Sequence, residues 1–458
     1  MGLSGPSRRV DVVVVGAGLA GLTASRRLVE RGRDIVVLEA RDRVGGRTLS
    51  HTTPHGDVID LGAQWIGPTQ DRVAALASEL ELKTYEQYTT GAKILSLGGR
   101  VSTYKGSIPR LSLLSLLSLD RAIKSLDKLH QAVPLDAPFR AARAAEWDAI
   151  TVESWKRSSV FTAKTRSIVD MAVRAVFAAE PAEISFLFFL FYLHSGGGLL
   201  KLSQSHGGAQ QTRFTGGTQA LAGGLATRLG DRVLLNAPVR AILQHRAGVL
   251  VRSDAGEFEA RFAIVAIPPA LAGRLVYEPP LPSQRDHLTQ RMPMGSVMKC
   301  VAFYEKPFWR DDGYSGEALC DTGPVTLVFD DSPEDGSRGA LLAFIFGNEA
   351  RRWGVRPPEE RRAAVLQRLQ SFFGPRAAQI SDYVDKDWAT EPWSRGCYTG
   401  LMPPGTLTAY GDALRAPCGR IHWAGTETAR TWCGYMDGAI ESGERAAEEV
   451  LTAWAGAT

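Results

Sequence analysis

The sequence has 458 residues, 44% of them hydrophobic and 22% charged, with a formal net charge of +4. That length implies two or three folding units with enough interior to enclose a large ligand, in an ordinary globular composition. So small a charge, with no basic cluster, argues against a nucleic-acid binder.

The five cysteines are Cys300, Cys320, Cys397, Cys418 and Cys433. They form no C-x-x-C pair and no metal-ligand spacing, so no metal site is expected. Their odd number and wide spacing fit a reducing compartment, and the expected location is cytoplasmic. Residues 1–9 are polar and 10–15 are too short for the apolar core of a signal peptide. The run 184–193 is about half a membrane span. No apolar tail follows Trp454, and the expectation is a chain without a stable membrane anchor.

Taken in chain order, the first element is Val12-Val13-Val14-Val15, a β-branched run suited to a strand buried on both faces. Gly16-Ala17-Gly18-Leu19-Ala20-Gly21 follows at once, and Leu22, Ala24 and Leu28 fall at roughly helical spacing. Gly32 marks the helix end, and 35–38 reads as a second strand running into Glu39. Residues 111–119 suit a helix, and 141–200 reads as mostly helical with a break at Gly196-Gly197-Gly198. Short strands are expected at 233–235, 249–251, 262–267, 297–304 and 341–346. An amphipathic helix is expected over 357–369, and a final helix with alanines on its packed side over 437–453.

The opening βαβ unit carries a chemical reason for its glycines. In Gly16-x-Gly18-x-x-Gly21 the first glycine permits a tight turn, the second lets backbone approach a pyrophosphate, and the third lets helix and strand pack closely. The helix N-terminus offers free N–H groups to phosphates. Glu39, at the end of the second strand, suits a ribose with a free 2′-OH, which favours FAD or NAD over NADP. Spacing alone leaves FAD and NAD open.

The segment Glu39-Ala40-Arg41-x-Arg43-Val44-Gly45-Gly46-Arg47 resembles the signature of the flavin amine oxidase and phytoene desaturase superfamily. Ser394-Arg395-Gly396-Cys397-Tyr398-Thr399, Ala424-Gly425-Thr426-Glu427-Thr428-Ala429 and Gly434-Tyr435-Met436-Asp437-Gly438-Ala439 resemble the flavin-binding end of the monoamine oxidases. The resemblance extends over nearly the whole chain. It implies an α/β fold in two domains. A Rossmann-like (GR2-type) FAD-binding domain would be built from 1–82, 214–288 and 391–458. An inserted α+β substrate domain would comprise 83–213 and 289–390.

The same resemblance implies roles for individual residues. Arg47 would neutralise the pyrophosphate, with Arg41, Gly46, Gln64, Trp65, Val239 and Trp388 beside the cofactor. Gly425, Thr426 and Glu427 would hold the pyrophosphate and ribityl chain, and the helix beginning at Met436 would stabilise charge at the flavin. Cys397 would carry a thioether to the flavin, although the family usually has glycine where this chain has Arg395. Tyr398 and Tyr435 would stand as paired rings that steer the amine, and Lys299 would hold a water for reoxidation by oxygen. Ala172, Ala175, Leu202, Leu327 and Phe344 would line a roomy, aliphatic substrate pocket.

A neutral amine is required for such chemistry, and deprotonating an alkyl amine at neutral pH costs on the order of 4 kcal/mol. An apolar aromatic slot helps by disfavouring the charged form. The expected function is therefore FAD-dependent oxidative deamination of a primary monoamine with an apolar tail, with oxygen reduced to peroxide. Putrescine, polyamine and L-amino-acid oxidation are alternatives within the superfamily, and a flavin-binding scaffold without turnover is a remote one. The expected partners are a small amine and oxygen, with a homodimer as one possible assembly.

Overall fold

The computed structural model describes residues 8–106 and 109–456. The start of the polar lead, residues 1–7, lies outside them.

The Val12–Val15 strand is buried along its whole length and is the middle of a five-stranded parallel sheet. Ile35–Leu38 lies on one side of it, Val12 opposite Ile35 and Val15 opposite Leu38. Phe262–Val265 lies on the other, followed by Ile421–Trp423. Val233–Leu234 completes the far edge. Every one of these strands is short and β-branched or aromatic, as a sheet covered on both faces requires.

Two helices pack together on this sheet, Leu19–Glu30 and the final Met436–Ala455. A Cβ added at Gly443 would stand 2.3 Å from the Ala20 carbonyl oxygen, so glycine sets how closely they approach. The expected alanines of the last helix, Ala446 and Ala447, are buried against this layer.

A five-stranded sheet of Arg8–Arg9, Gly256–Ala260, Val249–Ser253, Val239–Gln244 and Val276–Glu278 flanks the first. A larger seven-stranded sheet runs in the order Asp382–Asp387, Val297–Tyr304, Gly339–Phe346, Val325–Asp330, Tyr314–Cys320, Ala92–Leu97 and Arg100–Tyr104. Its pairs are antiparallel except Tyr314–Cys320 with Ala92–Leu97. Five of these strands, Ala92–Leu97, Arg100–Tyr104, Tyr314–Cys320, Val325–Asp330 and Asp382–Asp387, were not expected from the sequence.

The mostly helical stretch resolves into several helices, among them Ala163–Phe177, Phe186–Gly196 and Leu199–Ser203. Phe186–Gly196 holds the apolar run. Phe186 through Leu193 are all buried in the helical core, so the run is a core helix, too short to span a membrane. Among the described residues no helix is long and apolar enough to cross a membrane. The helix expected over 111–119 begins after Ser112, whose hydroxyl accepts from Ser115 N–H, and continues to His130.

Candidate active site

A single cavity of about 830 Å³ runs from the Gly16–Gly21 turn, past Cys397 and Lys299, to Pro109 and Leu119. At its inner end Gly16 has φ +101°, and a Cβ there would stand 3.0 Å from the Ala266 carbonyl oxygen. A Cβ at Gly21 would stand 2.0 Å from the Gly16 oxygen, whereas nothing lies within 4 Å of one at Gly18. Gly21 is therefore required for packing, while Gly18 opens onto the cavity. Gly18 also precedes the first helix without a side-chain cap, leaving the helix N–H groups facing the same space.

Glu39 lies next to this turn. Its carboxylate accepts from Ala17 N–H at 2.8 Å and Arg41 N–H at 3.0 Å, which fixes its orientation and leaves acceptor capacity toward the cavity. Arg41 bonds Glu391 at 3.2 Å and the Ser394 hydroxyl at 2.8 Å. It thereby ties the first motif to the segment carrying Cys397. Gly46, Val239, Gly425, Thr426 and Met436 also line the cavity. A long channel that begins at an open helix N-terminus with a carboxylate beside it fits an extended dinucleotide such as FAD.

Arg47 faces the cavity, yet its guanidinium is paired with the buried Glu427 at 2.5 and 3.0 Å and donates to the Tyr398 carbonyl oxygen at 2.8 Å. Burial works against the carboxylate, but Arg47 outweighs it and holds Glu427 below the usual range. The Glu427 side chain thus lies behind the cavity wall, where it also accepts from Gly400 N–H. Trp388 likewise stands outside the wall. It is 1% exposed, and its Nε1 donates to the Leu61 carbonyl oxygen at 2.8 Å.

Lys299 lies in a strand buried at every position, Val297–Tyr304. Its ammonium donates to the carbonyl oxygens of Asp60 (2.5 Å) and Gly62 (3.0 Å) and to Gln64 Oε1 (2.7 Å). Burial pushes Lys299 down to about 8, with the charges of Asp331 and Asp60 pulling back. The Gln64 amide nitrogen donates in turn to Asp331, which is paired with Arg213 at 2.8 Å. Trp65 and Phe344 place their rings 5.6 and 5.5 Å from Lys299 Nζ.

Cys397 is buried in the cavity wall, and burial pushes its thiol up to about 12. Its neighbour Arg395 has φ +55°, in the left-handed region, where glycine would fit without strain. Tyr398 and Tyr435 face the same cavity. Phe346 stands edge-on behind Tyr398 at 6.3 Å, and Trp432 edge-on behind Tyr435 at 5.0 Å. Ala172, Ala175, Leu202, Leu327 and Phe344 continue the wall outward.

Whole-chain comparison agrees with this geometry. The family model for flavin-containing amine oxidoreductase matches residues 19–451. The chain belongs to that family. It is a flavin amine oxidase with the family's α/β fold, and the flavin implied is FAD. It is 43% identical over 443 residues to a probable flavin-containing monoamine oxidase A of Dictyostelium discoideum, covering 96% of this chain and 97% of that one. Among solved structures, a putrescine oxidase with redesigned cofactor binding superposes with a TM-score of 0.95 at 32% identity, covering 98% of this chain and 100% of that one. The cyclohexylamine oxidase of Brevibacterium oxydans IH-35A superposes with a TM-score of 0.93, also at 32% identity and with the same coverages.

Sequence reasoning missed several residues of this flavin amine oxidase's site. Tyr192 lines the cavity with its ring 6.1 Å from Tyr435, and its hydroxyl within the apolar run Phe186–Leu193 was the available signal. Asp331 and Arg213 carried no local pattern, because 118 positions separate them in sequence. Lys93 and Glu317 enter the outer wall from strands that were not foreseen.

Proposed function

We propose that this chain deaminates a primary monoamine with an apolar tail, using FAD bound along the inner cavity and releasing aldehyde, ammonia and hydrogen peroxide. The observation that carries the reading is the convergence of Lys299, Tyr398 and Tyr435 on one cavity that begins at the glycine turn. When bound, FAD supplies the two-electron redox chemistry, taking a hydride equivalent from the amine and passing its electrons to oxygen.

The protein's share is binding, orientation and exclusion of water. Glu39 holds the ribose and the first helix N-terminus the pyrophosphate, with Arg41, Gly46, Arg47, Val239, Gly425 and Thr426 around them. The N-terminus of the last helix, at Met436, stabilises negative charge near the ring. The faces of Tyr398 and Tyr435 receive the amine, and their apolar surroundings favour its neutral form. Lys299 brings a positive charge to the site that favours reduction of oxygen, and it would hold a water there by giving up one of its three present acceptors, the carbonyl oxygens of Asp60 and Gly62 and Gln64 Oε1. Cys397 is the point of covalent attachment, through a thioether.

The carboxylates in the cavity wall, among the described residues, are Glu39 at the cofactor end and Glu317. Glu317 is already paired with Lys93. That favours a monoamine over the diamine of the putrescine oxidase neighbour. The proposed division assigns 1–82, 214–288 and 391–458 to the cofactor and 83–213 with 289–390 to the substrate, in a cytoplasmic protein. Peroxide release on adding benzylamine or an alkylamine to the purified flavoprotein tests the reading. Turnover of putrescine or amino acids alone would overturn the monoamine assignment.

A further inference from the structure

The outer wall of the cavity carries a cluster built around a largely buried ion pair. Lys93 Nζ lies 2.8 and 3.0 Å from the two Glu317 oxygens, with the side chains 16% and 13% exposed. The Ser205 hydroxyl donates to the same carboxylate at 3.3 Å. Tyr104 stands directly opposite Lys93 in the strand register and also lines the cavity. Tyr104 is only 5% exposed, and its hydroxyl makes no hydrogen bond with any described residue. Tyr104 thus presents to the cavity, beside the ion pair, a hydroxyl that can donate to a ligand.

Strand register fixes how far this cluster lies from the reacting end. Lys299 is opposite Phe344, Phe344 opposite Leu327, Leu327 opposite Leu319, and Leu319 opposite Leu95. All five line the cavity. Glu317 and Lys93 are two residues along from Leu319 and Leu95, hence on the same sheet face. At about 4.8 Å per strand, with the two-residue offset included, the backbone at Glu317 lies roughly 16 Å from that at Lys299, and Lys93 and Tyr104 lie one and two strands further out. A small aromatic amine does not span that distance, but an extended chain of roughly twelve atoms with a hydrogen bond at its end reaches Glu317.

We propose that Lys93, Glu317 and Tyr104 form a distal subsite for an uncharged hydrogen-bonding group, a hydroxyl or an amide, at the far end of a long-chain amine. The proposal rests on the amine oxidase reading above and names the substrate class within it. Lys93 and Glu317 neutralise each other, so neither a terminal carboxylate nor a second ammonium gains net attraction, and a second ammonium competes with Lys93 for the same oxygens. A hydroxyl or amide instead accepts from Tyr104 or Lys93 and donates to Glu317 without disturbing the pair.

The test compares decylamine, 10-aminodecan-1-ol and 1,10-diaminodecane by KM and kcat in the holoenzyme. The expected result is a KM about tenfold lower for the amino alcohol than for decylamine, at similar kcat. In the Lys93→Met/Glu317→Leu double variant that ratio falls to about one, while hexylamine turnover, which does not reach the cluster, is unchanged. Tyr104→Phe, which removes a single oxygen, lowers the ratio about threefold and keeps the test decisive should the double variant fail to fold. Equal KM values in the wild type, a preference that survives the variants, or preference for the diamine would each overturn the subsite. Absence of hexylamine turnover by the wild type would instead count against the underlying amine oxidase reading.

Discussion

Gln64 presents its amide oxygen to Lys299 at 2.7 Å and its amide nitrogen to Asp331. An amide has one accepting and one donating end, so the Asp331 carboxylate dictates which end meets the lysine. Asp60 and Gly62 supply the other two acceptors through their carbonyl oxygens, and the ammonium is held in one geometry.

This arrangement gives a pH dependence with a definite sign. Lys299 is charged below its pKa of about 8 and neutral above it. Flavin reoxidation by oxygen, followed by stopped-flow absorbance, should be fastest below about pH 7 and fall as pH rises through 8. In Lys299→Met the rate should drop about 100-fold and lose that dependence, with amine-driven flavin reduction changed far less. Asp331→Asn removes a negative charge that supports the ammonium, so the midpoint of the same profile should move to lower pH. Unchanged profiles in both variants would disconnect Lys299 from the oxygen step.

The Arg47–Glu427 pair is bidentate, with Glu427 buried and Arg47 facing the cavity. Glu427→Ala leaves the Arg47 cation without its partner and should cost about 3–5 kcal/mol of stability, read as a lower denaturant midpoint. An Arg47→Met/Glu427→Leu double variant should recover much of that loss, although with weaker retention of FAD. A single variant as stable as the wild type would show that solvent, not Glu427, satisfies Arg47.

Covalent attachment at Cys397 is checked by acid denaturation. The wild type should keep its yellow colour in the precipitate, and Cys397→Ala should release it to the supernatant while still binding FAD in the folded state. Full release from the wild type would rule the thioether out.

The pocket prediction concerns Ala172 and Ala175, which line the cavity beside Leu202 and Leu327. Ala172→Phe and Ala175→Leu should each lower kcat/KM about tenfold or more for a bulky secondary amine and less than twofold for benzylamine. Equal losses for both substrates would place these residues away from the entry path.

How much of this was legible in sequence depended on how local the signal was. The opening βαβ unit was legible because a β-branched run, three glycines and Glu39 fall within 28 residues. The last helix and the Val297–Tyr304 strand were legible for the same reason. Tyr314–Cys320 was not, since Ser315, Gly316 and Glu317 give it little local β-propensity and its existence depends on partners at Val325–Asp330 and Ala92–Leu97. With that strand went Glu317, and with its neighbour went Lys93. At Arg395 the departure from glycine was visible, but its consequence, a left-handed backbone beside Cys397, needed the structure.

The central claim is that one cavity joins a bound flavin to an amine pocket gated by Tyr398, Tyr435 and Lys299. Peroxide release from the purified flavoprotein, measured across benzylamine, an aliphatic monoamine, a bulky secondary amine, putrescine, spermidine and several amino acids, tests it most directly. The account predicts turnover of the monoamines, with putrescine and amino acids poor. No peroxide from any of them, and no anaerobic bleaching of the flavin, would contradict it.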